Sequence, residues 1–166
     1  IDDVHLVIAL RRTVSYFLVR GICCMKVGIP GVSENIHVRS IVGEFLEHSR
    51  IFYFQNGGAE EIYMGSADWM PRNLDRRVEI VFPVEDEQIK KEIKHILDLE
   101  FRDNVKAHLL QPDGTYEKQD KRGKTLINSQ MEFCAEAQKK AKKQKKAEKN
   151  HSRVFIPAEP VKDPEE

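Results

Sequence analysis

The chain has 166 residues, a length that suits one folded domain with a single appendage. Hydrophobic residues make up 40% of it and charged residues 33%, a composition that excludes a chain disordered throughout. Its formal net charge is zero, so any affinity for an anionic partner must depend on where the charges lie and not on their sum.

The N-terminal third is predicted to contain a helix, a strand and a second helix. Residues 1–12 carry apolar side chains at roughly helical spacing, which predicts a short helix. Residues 14–25 are rich in β-branched and aromatic side chains, which is typical of a strand buried on both faces. Ser33 is expected to cap a helix over residues 34–47, where apolar positions recur at i, i+3, i+4, i+7 and i+8. This helix would end just before His48.

The rest of the chain continues to mix strands and helices. Short apolar or alternating runs between turn residues predict strands at 51–54, 61–67, 76–84, 105–110 and 116–118, with a loop over residues 68–75. Amphipathic periodicity predicts a surface helix over residues 85–102 and a last helix over residues 127–149. This mixture indicates an α/β or α+β fold, with a folded domain over residues 1–136.

The remaining segment, residues 137–166, is predicted to be a basic helix end followed by a tail without fixed structure. Residues 139–153 contain eight basic side chains and only Glu148 as an acid, and three prolines follow Asn150. The basic block is either a solvated helix end or a surface for a polyanion.

Cysteine usage and targeting signals bear on the compartment. The three cysteines form neither a disulfide framework nor a metal-ligand spacing, which favours a reducing, cytoplasmic setting and leaves membrane association open. The longest apolar run is interrupted by Arg20 and is shorter than the roughly 20 residues of a membrane span. The N-terminus lacks the basic region of a signal peptide. Because the chain opens on Ile1, we expect it to be part of a longer protein.

Arginine is concentrated in the segment from residue 20 to residue 77. Six arginines lie there with one lysine, although lysine is the commoner residue over the whole chain: Arg20, Arg39, Arg50, Arg72, Arg76 and Arg77. The planar guanidinium grips phosphate or carboxylate groups through two hydrogen bonds and stays charged when it is partly buried. These arginines therefore indicate either a phosphate site or ordinary ion pairs with Glu34, Glu44, Glu47 and Asp75.

Arg20 and His48 are the two sharpest candidates. Arg20 lies inside an apolar strand, where a charge requires a salt bridge, for instance to Asp68 or Glu79, or an anionic ligand such as phosphate. His48 lies at a junction between two predicted elements, where side chains of α/β folds often project into a site. A histidine that stabilises a helix C-terminus is the alternative.

Two motifs extend this pattern. His48-Ser49-Arg50, followed by Gly65-Ser66-Ala67-Asp68, resembles the phospholipase D superfamily signature, in which a histidine, a lysine two residues on and a later Gly-Ser-x-Asn line a phosphate pocket. Arg50 replaces the lysine, Asp68 replaces the asparagine, and Gln55 stands where an acid is expected. These departures disfavour a hydrolytic member of that superfamily.

A longer series of ordered blocks resembles the C-terminal phospholipase-D-like domain of bacterial polyphosphate kinase. The blocks are RGICC at 20–24, GVSENI at 31–36, LEHSR at 46–50, GSADWM at 65–70 and RNLDRRVE at 72–79. The resemblance extends over about residues 18–111 and continues thinly through 127–129. The segment before Leu18 and the lysine-rich end depart from the family pattern.

The resemblance implies a fold and a function. It implies a phospholipase-D-like mixed sheet flanked by helices, and reversible transfer of the ATP γ-phosphate onto inorganic polyphosphate with Mg²⁺ present. By resemblance, Arg20 and His48 contact ATP, ADP or polyphosphate, and His48 has the catalytic role. The phosphorylated histidine belongs to an upstream domain of the same enzyme, and the full enzyme is expected to be a homo-oligomer. We therefore expect the isolated chain to have little kinase activity.

Two other functions remain open at this stage. One is a phosphodiesterase or phosphatidyltransferase half-domain, in which His48 is itself the covalent nucleophile. The other is a non-enzymatic module that binds a polyanion through the arginines and through residues 139–153.

Overall fold

The computed structural model describes residues 5–11, 14–20 and 23–150, with side chains over residues 14–19 and 23–146. The chain divides into two compact units, of which the first ends at Glu132 and the second begins at Phe133. The first unit contains the sheet and the candidate site. The second unit contains most of the last helix.

Eight strands form one mixed sheet in the described part of the chain. They are β1 His5–Arg11, β2 Val14–Arg20, β3 Ile36–Ile41, β4 Arg50–Phe54, β5 Glu61–Gly65, β6 Val81–Pro83, β7 Ala107–Leu110 and β8 Tyr116–Lys118. Their spatial order is β6-β5-β4-β1-β2-β3-β7-β8. The helices are α1 Pro71–Arg76, α2 Glu87–Arg102 and α3 Ser129–Asn150, and Asn56–Gly58 forms a single 3₁₀ turn.

The strand directions determine which residues share an edge of the sheet. β1 runs antiparallel to β2 and parallel to β4, and β3 runs parallel to β2. Leu6 of β1 lies between Val19 of β2 and Arg50 of β4 in the register. The C-terminal ends of β2 and β3 and the N-terminal end of β4 therefore meet at one edge.

The sheet buries side chains on both faces. On one face, Leu18, Ile41 and Ile51 pack with Ile93 and Leu97 of α2. On the other face, the alternate residues pack with the segment that follows β2, in a cluster formed by Val19, Val27, Val38, Phe52 and Leu110. Neighbouring strand residues thus enter different clusters, as the two-residue period of a strand requires.

Helix α2 begins with a capped N-terminus. The Asp86 carboxylate accepts hydrogen bonds from the amides of Gln88 and Ile89 at 2.8 and 2.9 Å. This cap satisfies two of the amides that lack partners within the helix. The buried residues of α2 include Ile93, Leu97 and Leu99, which confirms the predicted surface helix with a shift of two residues at its start.

Several other predictions are confirmed. β4 and β5 form the expected hairpin, and β7 and β8 form the expected edge hairpin. The last helix begins at Ser129, two residues later than expected. A mixed α/β architecture with a sheet flanked by helices is thus confirmed, whereas the boundary after residue 136 stays a prediction.

The two helices predicted in the N-terminal third are wrong. β1 occupies most of residues 1–12, because its backbone pairs with both β2 and β4. β3 occupies residues 36–41 of the predicted helix 34–47, because it pairs with β2 on one side and β7 on the other. Apolar side chains at helical spacing supplied only a weak preference, and pairing within the sheet overrode it.

Smaller differences affect other elements. The predicted strand 14–25 ends at Arg20, and the predicted strand 76–84 is reduced to Val81–Pro83. Residues 68–75, expected to be a loop, contain most of α1, which begins at Pro71 as the preference of proline for a first helical turn allows. The tail after Asn150 lies outside the described residues. No helix in the described ranges is long and apolar enough to cross a membrane.

Candidate phosphate site at the sheet edge

The blocks that suggested a phosphate site converge at one edge of the sheet. β2 ends at Arg20, β4 begins at Arg50, and β5 ends at Gly65 just before Ser66 and Asp68. Since β1 separates β2 from β4, two strand spacings, about 10 Å, separate the backbones of the first two elements. Residues far apart in the sequence are therefore neighbours at this edge.

His48 lies in the loop between β3 and β4, two residues before β4 begins, and not at the end of a helix as expected. Its side chain is exposed. The loop is held by Gln130, which is 4% exposed. Gln130 accepts a hydrogen bond from the Phe45 amide at 3.0 Å and donates to the Phe45 carbonyl at 2.9 Å and to the Glu47 carboxylate at 2.7 Å.

Gly43 permits this contact. A Cβ atom at Gly43 would lie 2.0 Å from the Oε1 atom of Gln130, far inside any van der Waals separation. A side chain at this position would displace Gln130 from the loop. Gly43 and Gln130 together therefore determine the path of the chain toward His48.

Arg50 lies directly against the His48 ring. Its Nη1 atom donates to the His48 carbonyl oxygen at 2.7 Å and contacts Nδ1 of the ring, and its Nη2 atom lies 2.7 Å from Nε2. A guanidinium has only donors and a neutral imidazole has only one acceptor nitrogen, so at most one of these two ring nitrogens can accept a hydrogen bond from Arg50. Arg50 thus restrains both the position and the hydrogen-bonding role of the imidazole.

Arg50 is in turn held by Asp68. The Asp68 Oδ1 atom accepts from Nε at 3.0 Å and from Nη2 at 2.5 Å. Both side chains are only 6% exposed, so this is a buried ion pair. Behind it, Asn73 of α1 donates to Asp68 Oδ2 at 3.4 Å. Asp68, Arg50 and His48 form a connected series from the interior to the surface.

The two departures from the phospholipase D signature are therefore partners in one contact. Arg50 stands where the signature has lysine, and Asp68 stands where it has asparagine. A lysine beside an asparagine leaves a net positive charge for a ligand, whereas an arginine beside an aspartate is neutral as a pair. The positive charge of Arg50 is thus used in a structural ion pair with Asp68.

The other arginines have different positions. Arg72, Arg76 and Arg77 are exposed on or directly after α1. Arg39 donates through Nη1 to the carbonyl oxygens of Phe101, Glu100 and Asp103 at the C-terminus of α2, so it caps that helix. In the described contacts, neither Arg39 nor Arg50 forms an ion pair with any of the four acidic residues that were expected as partners: Glu34, Glu44, Glu47 and Asp75.

A concave region lies beside Arg39, and His48 is not among its lining residues. A cavity of about 440 Å³ between the sheet and α2 is lined by Arg39, Tyr53, Lys94 and Phe101, among others. Burial lowers the pKa of the Arg39 guanidinium from its usual value, and the nearby Asp103 carboxylate partly opposes that effect. Hydrogen bonds from Lys94 and Tyr53 lower the pKa of the Glu60 carboxyl at the same cavity.

Arg20 is described only by its backbone, which ends β2. Its side chain lies outside the described residues. Both carboxylates considered as its salt-bridge partners accept hydrogen bonds elsewhere: Asp68 accepts from Arg50, and Glu79 accepts from the Ser66 hydroxyl at 2.5 Å.

The described side chains contain no group of three or more histidine, cysteine, aspartate or glutamate residues that could hold a metal ion. The Mg²⁺ implied by the resemblance is therefore not matched by a ligand set in residues 14–19 and 23–146.

Two functional contacts were missed by sequence reasoning. Gln130 was assigned only to the start of the last helix, although it holds the loop of His48. Asp103 is fully buried and accepts from the amides of the two residues before β7, from the Ala107 amide at its start, and from the Ser129 amide and hydroxyl, so it joins the end of α2, the start of β7 and the start of α3. The only available signal was a polar residue directly after an amphipathic helix.

Comparisons with known proteins support the same interpretation of the blocks. The family model described as "Polyphosphate kinase C-terminal domain 2" matches residues 12–130. The chain is 58% identical over 101 residues to a polyphosphate kinase of Pseudomonas aeruginosa, covering 61% of this chain and 15% of that protein. It is 55% identical over 121 residues to a polyphosphate kinase of Synechocystis, covering 72% of this chain and 17% of that protein.

A solved structure is also similar. The crystal structure of polyphosphate kinase from Porphyromonas gingivalis matches with a TM-score of 0.68 and 37% identity, covering 74% of this chain and 19% of that chain. The present chain thus spans less than a fifth of the length of the relatives described here. Because the family model covers well over half of the chain, the chain belongs to the polyphosphate kinase family, in which it corresponds to C-terminal domain 2.

Proposed function

We propose that this chain supplies one half of the phosphoryl-transfer site of a polyphosphate kinase, and that Arg20 and His48 contact the phosphates of ATP, ADP or polyphosphate. The observation that supports the proposal is the convergence of β2, β4 and the loop of His48 at one sheet edge. The pairing of Arg50 with Asp68 adds to it, because that pair is neutral and the cation proposed to face the phosphates is then Arg20 at the end of β2.

The reaction requires position and positive charge more than covalent chemistry from this domain. The bond from the γ-phosphorus to the ADP oxygen breaks while a bond forms to a histidine nitrogen of an upstream domain. The terminal oxygen of the polyphosphate then attacks that phosphorus, and the phosphorus–nitrogen bond breaks. Arg20 would stabilise charge on the transferred group, and His48 would hold a phosphate oxygen or exchange a proton with it.

The His48 environment suits either role. Arg50 restrains the ring through contacts to both of its nitrogens, while the exposure of His48 leaves it accessible to a ligand. Gln130 limits the movement of the loop, so little conformational freedom would be lost when a phosphate binds. Mg²⁺, when bound by the complete enzyme, would neutralise phosphate charge.

The test uses a complete enzyme in which this chain replaces the corresponding part of a polyphosphate kinase. We expect His48→Ala to slow phosphoenzyme formation from labelled ATP roughly a hundredfold, a typical effect of losing a general acid or base. His95→Ala, at an exposed histidine of α2, is the matched control and should leave the rate unchanged. An unaltered burst rate in the His48→Ala enzyme would refute the proposed role of His48.

The phosphodiesterase alternative makes a different prediction. It requires labelled phosphate to be trapped covalently on His48 itself. We expect the label on the upstream histidine instead, since the neutral pair of Arg50 and Asp68 lacks the free cation of that signature. The cytoplasmic location and the oligomeric state of the full enzyme stay predictions.

A further inference from the structure

A dense group of cations lies in the second compact unit. Residues 139–146 of α3, named here the lysine segment, contain six lysines: Lys139, Lys140, Lys142, Lys143, Lys145 and Lys146. All six are exposed. The eight residues rise only about 12 Å along a helix, so six positive charges occupy a short length.

The geometry of the helix places these like charges close together, so they repel one another. Lys139 and Lys143 are separated by four residues, as are Lys142 and Lys146, and such neighbours lie on the same side of a helix. No salt bridge joins any of the six ammonium groups to a carboxylate in the described part of the chain. A bound polyanion would relieve the repulsion and stabilise the helix.

The composition of this segment favours a ligand made of charge alone. Residues 134–150 contain no aromatic side chain, so nothing there can stack on a nucleobase, the usual means of binding single-stranded nucleic acid. Lysine presents a mobile point charge and not a planar fork, which suits a flexible chain of anions without fixed geometry. Inorganic polyphosphate, with one negative charge on each internal phosphoryl unit, has this chemistry.

The lysine segment also lies beyond residues 12–130, the part that the family model matches. It is therefore additional to the domain that carries Arg20 and His48. We propose that the lysine segment is a second binding site for inorganic polyphosphate, which retains the polymer on the enzyme. This inference rests on the proposed function, because that function makes polyphosphate the substrate.

The experiment measures binding of long-chain inorganic polyphosphate to the 166-residue chain at several salt concentrations. One variant replaces four lysines of the segment with glutamine, a residue of similar helix propensity: Lys142, Lys143, Lys145 and Lys146. The matched control replaces four exposed lysines elsewhere with glutamine: Lys26, Lys91, Lys118 and Lys124. Circular dichroism of both variants shows whether α3 still forms.

We expect the segment variant to bind polyphosphate at least roughly tenfold more weakly than the wild type. The slope of the logarithm of the binding constant against the logarithm of the salt concentration should be about three units shallower, because each lost phosphate contact removes about 0.7 to 0.9 from that slope. The control variant should bind like the wild type. Equal affinities of the two variants, with α3 intact in both, would overturn the proposal. Tighter binding of poly(U) than of polyphosphate at equal charge concentration would overturn the choice of polyphosphate.

Phosphoenzyme formation in the complete enzyme separates this inference from the proposed function. In the complete enzyme, the segment variant should retain its phosphoenzyme formation rate and release shorter polymers. A loss of phosphoenzyme formation in the segment variant would contradict a role confined to holding the polymer.

Discussion

Arg50 and Asp68 are two departures from a sequence signature that together form one structural contact. Each is a departure from the phospholipase D signature, and in the structure each is the partner of the other. A buried ion pair contributes little net stability when it is intact, but loss of one partner leaves a charge without compensation. The pair therefore has more value in positioning His48 than in stabilising the fold.

This leads to a prediction at the residue scale. Asp68→Asn should lower the free energy of unfolding by about 3 kcal/mol, because the Arg50 charge stays buried without a counter-charge. The double variant Arg50→Met with Asp68→Leu should recover to within about 1 kcal/mol of the wild type. Urea denaturation measures both values.

The control and the functional outcome follow from the same geometry. Asp120→Asn, which breaks the exposed pair of Arg122 and Asp120, should change stability much less than Asp68→Asn. The double variant should still bind ATP more weakly than the wild type, because Arg50 no longer restrains the His48 ring. Equal decreases in the free energy of unfolding for Asp68→Asn and Asp120→Asn would show that breaking the buried pair is no more destabilising than breaking the exposed one.

At the scale of elements, the loop between β3 and β4 is the part that decides where His48 lies. Gln130, at the start of α3, provides three hydrogen bonds to Phe45 and Glu47 of this loop. Both partners belong to the first compact unit, which ends at Glu132. The position of His48 thus depends on a residue about 80 positions away in the sequence.

Gln130→Met should loosen this loop with little loss of volume. We expect the Phe45 amide to exchange its hydrogen roughly five to ten times faster, in line with about 1 kcal/mol for a net hydrogen bond. Hydrogen exchange followed by mass spectrometry or NMR measures the effect. Gln138→Met, at an exposed position of the same helix, is the control and should leave the loop unchanged. Unaltered exchange at Phe45 in Gln130→Met would show that Gln130 does not restrain the loop.

At the scale of the whole molecule, the chain corresponds to C-terminal domain 2 of its family and to less than a fifth of the relatives described above. The proposed mechanism requires a phosphorylated histidine from an upstream domain. One half of a shared site can hold a substrate without completing the transfer. Binding and catalysis are therefore expected to separate in this chain.

The isolated 166-residue chain should bind ATP or polyphosphate weakly and show no sustained polymer synthesis. Equilibrium dialysis with labelled ATP measures the binding, and incorporation of labelled phosphate into polymer measures the synthesis. A complete polyphosphate kinase assayed in parallel is the positive control. Robust ATP-dependent synthesis by this chain alone would contradict a divided active site.

Local features of the sequence determined the elements whose stabilising contacts are local. The amphipathic periodicity of residues 85–102 predicts α2, and Asn56-Gly57-Gly58 between two apolar runs predicts the hairpin of β4 and β5. The ordered blocks around His48 and Asp68 identified the family, because a fixed order of residue types can be recognised without knowing which contacts those residues make.

Tertiary structure alone decided the conformation of residues 36–41 and the partners of the arginines. β3 forms because β2 and β7, which are separate segments of the sequence, provide its backbone hydrogen bonds. The local sequence pattern of residues 36–41 gives no information about these partners. Arg50 meets Asp68, and Arg39 meets the end of α2, because the sheet brings separate segments together. Residue type reveals that an arginine needs an anionic or carbonyl partner, whereas only the packed chain selects which one.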